Sequence, residues 1–153
     1  MLAEPQQDGA ERLRFLRRFL LLILVLGLCG TAAELILTGH TESAWQWTPL
    51  ILIALLLPAL GWNASSPAGA ASHTLRAILI LFLVSGVVGT VLHWRGKMEF
   101  QAESNPKLSG WELFRKSAES KSPPALAPGV MIQLGLLGLA YQAAGKARRS
   151  HET

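Results

Sequence analysis

Residues 19–38 read FLLLILVLGLCGTAAELILT, and three more stretches of the same character follow: WQWTPLILIALLLPALGW at 45–62, LRAILILFLVSGVVGTVLHW at 75–94 and ALAPGVMIQLGLLGLAYQAA at 125–144. Each is about the length a helix needs to cross roughly 30 Å of hydrocarbon. The pattern predicts an all-α integral membrane protein, a bundle of four transmembrane helices. The spans leave about half of the 153 residues for loops and tails, too little for a separate soluble domain. Any active site would have to be built from helix ends and loops.

The first stretch carries a carboxyl, Glu34, and still favours insertion. Its twelve Leu, Ile, Val and Phe residues contribute on the order of −4 to −7 kcal/mol, against about +3 for an acid at mid-membrane and less near a helix end. A rival reading treats this stretch as a secretory signal cleaved after Ala33. The apolar run resumes with Leu35, Ile36 and Leu37, giving a membrane-length span that a discarded signal does not need. A lipoprotein signal fails on Leu28, because the residue before a lipidated cysteine should be small.

Charge sets the expected orientation. Arg12, Arg14, Arg17 and Arg18 precede the first span, and Lys146, Arg148 and Arg149 follow the last. By the positive-inside rule both basic tails, 1–18 and 145–153, belong in the cytoplasm, N-in and C-in, with domain 19–144 in the inner (plasma) membrane. The third connection, about 95–124, opposes this with six Lys or Arg. The dense arginines adjoining the first helix outweigh it. The net charge of +4 is read as basic residues anchoring helix ends against anionic lipid headgroups. No basic stripe interleaved with aromatics supports nucleic-acid binding. A lone cysteine, Cys29, excludes thiol redox relays, which need pairs, and reads as a small packing residue. Trp45, Trp47 and Trp94 mark one interface and Trp62 the other.

Small residues let membrane helices approach closely. Gly27, Gly30, Thr31, Glu34 and Thr38 share a face of the first span, Ser85, Gly86, Gly89, Thr90 and His93 belong to the stripe on the third, and Gly135, Gly138, Gln142 and Gly145 form one on the fourth. These stripes are expected to face the interior, with Gln133 as an interhelical hydrogen-bonding group. The second span, Leu, Ile and Ala with a kinking Pro58, suits a lipid- or partner-facing position. In the third connection, Ser109 and Glu112 fit a capping box, opening a short amphipathic helix that Pro123–Pro124 ends. Its apolar side would carry Trp111, Phe114 and Ala118, with Glu112 and Lys116 paired on another. It is expected on the outer membrane surface or capping the bundle.

Glu34 lies one turn from the outer end of the first span, and His93 at matching depth on the third. With His40, Glu42 and Glu99 they make a candidate outer polar cluster. Three chemistries compete with a plain structural ion pair there: a transition-metal site, a proton-handling Glu34–His93 pair, and haem ligation. No HxxxH or HExxH spacing, nucleotide loop or catalytic triad is present. Asn63-Ala64-Ser65 matches a glycosylation acceptor, but on the expected cytoplasmic side. The expected function is therefore non-enzymatic, with no cofactor or bound metal: a structural or accessory subunit of a membrane assembly, with a protein partner or as a homo-oligomer. A small transporter or proton-coupled channel is the alternative, and a metal- or haem-binding membrane protein the weaker one.

Overall fold

The computed structural model describes residues 4–120 and 128–152, with side chains at 9, 11–120 and 128–146. Among these residues five helices form: α1 (Glu4–Leu37), α2 (Ala44–Ser65), α3 (Gly69–Ser104), α4 (Gly110–Glu119) and α5 (Gly129–Glu152). Three of them, α1, α2 and α3, are long and apolar enough to cross a membrane. The expected fourth span begins at 125–127, outside the described residues, as does Pro123–Pro124; its remainder forms most of α5.

Helices extend well beyond the apolar runs. The arginines before the first span are helical, since α1 starts at Glu4 and passes unbroken through Arg18. Likewise α3 continues ten residues past Trp94, about 15 Å at about 1.5 Å per residue, and α5 runs on to Glu152. Once a span supplies the costly helical nucleus, segments rich in Arg, Lys, Glu, Gln and Ala propagate it.

The long helices meet in the cyclic order α1, α5, α3, α2, with α2 returning to α1 more loosely. Gly27 of α1 faces Leu134 of α5, while Arg17 lies by Gly145; Gly86 of α3 faces Ile132 and Gly138 faces Leu79. Both registers are antiparallel. The start of α1 and the end of α5 therefore lie together, at what is called here the arginine end; the α1–α2 turn and α4 lie at the opposite, turn end. Between Arg18 and Leu37 the α1 axis rises about 29 Å, the thickness of a hydrocarbon core.

Leu24, Leu28, Leu56, Leu75, Leu79 and Phe82 are fully buried between these helices. Outward, Leu22, Leu26, Leu55, Val87 and Leu136 each expose half or more of their surface, a ring of hydrocarbon that lipid tails solvate without cost. The smooth helix α2 does not stand apart on the lipid side. Ile53, Leu56, Ala59 and Leu60 are buried, because branched side chains interdigitate as well as small ones where helices need not touch closely. The helix continues through both Pro49 and Pro58.

At the turn end α3 and α4 form a hairpin. Ser109 occupies the N-cap position of α4 with extended backbone but no side-chain cap bond, so the expected box does not close. Of the expected apolar side of α4, Phe114 packs on Trp94 of α3, ring centroids 5.1 Å apart, while Trp111 and Ala118 are exposed; half-buried Leu113 and fully buried Ser117 complete the inward side. The i, i+4 ion pair is Arg115–Glu119 at 3.9 Å, not Glu112–Lys116. The inward side is turned slightly from the expected one, since the α3 extension offers Met98 and Ala102 to Leu113.

Candidate functional site

The turn end gathers part of the expected polar cluster. Helix α1 ends in a Schellman motif: Gly39 adopts φ 66°, its N–H donates to Ile36 O at 3.1 Å, and His40 N–H donates to Leu35 O at 2.9 Å. Only a residue tolerant of positive φ closes that cap. It folds His40 back toward the bundle, where its ring lies 6.1 Å, centroid to centroid, from that of His93 on α3. The turn beyond is fixed by Gln46, whose Oε1 accepts from the Glu42 and Ser43 N–H groups at 2.7 and 3.0 Å, and by the Trp47 indole donating to Thr41 O at 3.0 Å.

The rest of the cluster does not assemble. Glu34, Glu42 and Glu99 are all exposed, and Glu99 lines an open groove with Arg95, Met98, Ala102 and Leu113. Among the described residues no three His, Cys, Asp or Glu side chains gather closely enough to hold a metal ion. The two half-buried imidazoles are what the turn end offers to chemistry. A metal held by them would have to find its remaining ligands elsewhere.

The packing residues divide by helix. On α5, Gly135 and Gly138 admit Leu83 and Leu79 of α3. On α3, Gly86 meets Ile132 and Met131, Gly89 meets Pro128, and Ser85 is half-buried. On α1, Gly27 accepts Leu134 and Thr31 is buried, but Gly30 has open space where a side chain would go. Cys29, Glu34 and Thr38 are exposed beside it, so Cys29 is not a packing residue within one chain. The inward face of α1 is Leu24, Leu28 and Thr31, which the small-residue lane shares at Thr31 and, against Leu134, at Gly27.

The interhelical hydrogen bond belongs to Gln142, not Gln133. Gln133 is exposed. Gln142 is buried; its Nε2 donates to Ser72 O at 2.6 Å and to Ser72 Oγ at 3.1 Å, and its Oε1 accepts from Arg76 Nε at 3.3 Å. Next to it, the buried Tyr141 hydroxyl accepts from Arg17 Nη2 at 3.0 Å, with the Arg17 Cζ 4.7 Å from the ring centroid. Sequence reading missed Arg17–Tyr141 altogether, although Arg17, Tyr141 and Gly145 all sit at the ends of apolar runs that meet if the helices are antiparallel. Asn63 is buried in the last turn of α2, which removes it as a glycosylation acceptor. Lys97 is buried on the α3 extension, unforeseen because that segment was read as loop.

No protein-family model matches this chain, and neither a curated protein nor a solved structure is significantly similar to it.

Proposed function

We propose that the chain is a four-span, non-enzymatic protein of the inner membrane, with both ends in the cytoplasm, that serves as a structural or accessory subunit of a larger membrane assembly. The observation that carries this reading is the outward face of α1. Leu26, Cys29, Gly30, Ala33 and Glu34 are exposed together, and nothing lies within 4 Å of the position a Gly30 side chain would take. A carboxyl turned toward lipid is costly, by up to about 3 kcal/mol, and a bare glycine beside it invites another helix to approach closely. A second polypeptide against α1 satisfies both.

The fourth crossing is supported by α5, which packs antiparallel along α3 through Gly135 and Gly138 and along α1 through Leu134 against Gly27. Its Leu136 is exposed at a level where neighbouring side chains are hydrocarbon.

Purification in a mild detergent followed by mass measurement tests the assignment. A mass well above the 16.5 kDa chain, and capture of a neighbour by a lipid-soluble cross-linker on the Cys29 thiol, are expected. A solitary chain by both measurements rejects it. Proton-coupled transport through Glu34 and His93 needs those groups to face each other. With Glu34 exposed and His93 against His40, that pair would have to form between two copies.

A further inference from the structure

The arginine end holds two guanidinium groups from different helices on adjacent residues of α5. Arg17 of α1 lies over the Tyr141 ring and donates to its hydroxyl. Glycine at 145 leaves room for it: a Cβ there would stand 3.2 Å from Nε and 3.3 Å from Cζ, close enough to make the guanidinium shift by a few tenths of an ångström. Arg76 of α3 donates to Gln142. Both partners are neutral, so among the described residues neither arginine has its charge matched. Arg17 Nε is buried with no acceptor, and the described carboxylate at this end, Glu11, pairs with Arg14 at 3.8 Å.

Charge counts sharpen the asymmetry. Among residues 4–120 and 128–152, eight Lys or Arg against four Asp or Glu belong to the arginine end and five against six to the turn end, so the excess of positive charge lies where Arg17 and Arg76 are held. Both lie within two residues of the start of an apolar run, which is headgroup depth. Beside Arg17 on α1, exposed Leu16 and half-buried Leu20 make an apolar wall that suits an acyl chain and offers nothing to a soluble anion.

We infer that this end of the protein binds the phosphate of an anionic phospholipid headgroup, with Arg17 as the principal contact and Arg76, Arg18 and Lys146 supplying flanking charge. With Nε buried and Nη2 holding the Tyr141 hydroxyl, the remaining Nη N–H groups of a guanidinium already fixed in place can meet phosphate oxygens with little further ordering. The inference rests on the membrane placement proposed above.

The test is the relative affinity of spin-labelled phosphatidylglycerol and phosphatidylcholine for the full chain reconstituted in vesicles. A severalfold preference for phosphatidylglycerol is expected, falling about fivefold in Arg17→Gln, since one basic group near a surface is worth about that factor. Arg115→Gln with Lys116→Gln, on α4 at the other end, should leave the preference intact. Excess inorganic phosphate at constant ionic strength should not abolish it; abolition would assign the site to free phosphate and overturn the lipid. Equal affinities in the wild type, or a preference that survives Arg17→Gln, would also overturn it. If Arg17→Gln does not fold, Arg18→Gln with Lys146→Gln, both exposed, must lower the preference instead. Failure of the chain to enter vesicles at all would reject the membrane placement; entry without preference rejects only the headgroup site.

Discussion

Gly86→Ala adds one methyl group where α3 meets α5. The new Cβ would lie 2.6 Å from Ile132 Cγ1, 2.9 Å from Ile132 N and 3.2 Å from Met131 Cβ. A side chain can rotate away, but the backbone nitrogen cannot, so the two helices must part by several tenths of an ångström. Overpacking of this kind costs about 1–3 kcal/mol, opposed by the roughly 0.5–1 kcal/mol that Ala gains over Gly within a helix. Gly30→Ala makes the same chemical change where nothing lies within 4 Å. The propensity gain cancels between the two variants, and their difference isolates the packing term. Equilibrium unfolding in mixed detergent micelles, followed by tryptophan fluorescence and far-UV circular dichroism, should separate them by about 1–3 kcal/mol, with Gly30→Ala the more stable. Equal stabilities, or the reverse order, would refute the pairing of α3 with α5 along Gly86.

Other substitutions probe the remaining contacts. Gln142→Leu removes three hydrogen bonds to α3 and should cost about 1–2 kcal/mol at about 0.6 each, whereas Gln133→Leu should change stability by less than about 0.5 kcal/mol; the same micelle titration reads both. Ser117 Oγ is buried without a hydrogen-bond partner, so Ser117→Ala should stabilise the hairpin by about 1 kcal/mol, seen as slower amide exchange across α4; faster exchange would reveal a partner for the hydroxyl. Gly30→Leu should leave helix content unchanged while lowering the assembled mass in mild detergent, because it fills the lane on the outer face of α1. An unchanged mass would move the interface elsewhere.

Much of the fold is legible in the sequence because hydrocarbon runs report solvent directly. The limits of the helices are not, since hydropathy marks where lipid stops and not where hydrogen bonding stops; the Arg95–Ser104 extension of α3 is helical and polar at once. Depth alone favoured Gln133, but helical phase favours Gln142, which follows Gly135 by seven residues and faces the same neighbour. The small residues of α1 are spaced like those of α3 and α5, yet only Gly27 and Thr31 turn inward. Spacing cannot say whether a lane meets the same chain or another. The His40–His93 contact depends on a cap at Gly39, a signal present in the sequence as a glycine just past an apolar run. Glu34 shares the depth of His93, but it occupies the lane that faces outward.

The most direct test of the account uses the fact that Cys29 is the lone cysteine and is exposed, so Cys29→Ala gives a clean background at little structural cost. Single cysteines are then placed at Asp8, Ser109 and Ala147 and labelled in sealed vesicles with a maleimide that cannot cross the bilayer. The account predicts that positions 8 and 147 label from one side and position 109 from the other. Labelling of 8 and 147 from opposite sides would contradict it.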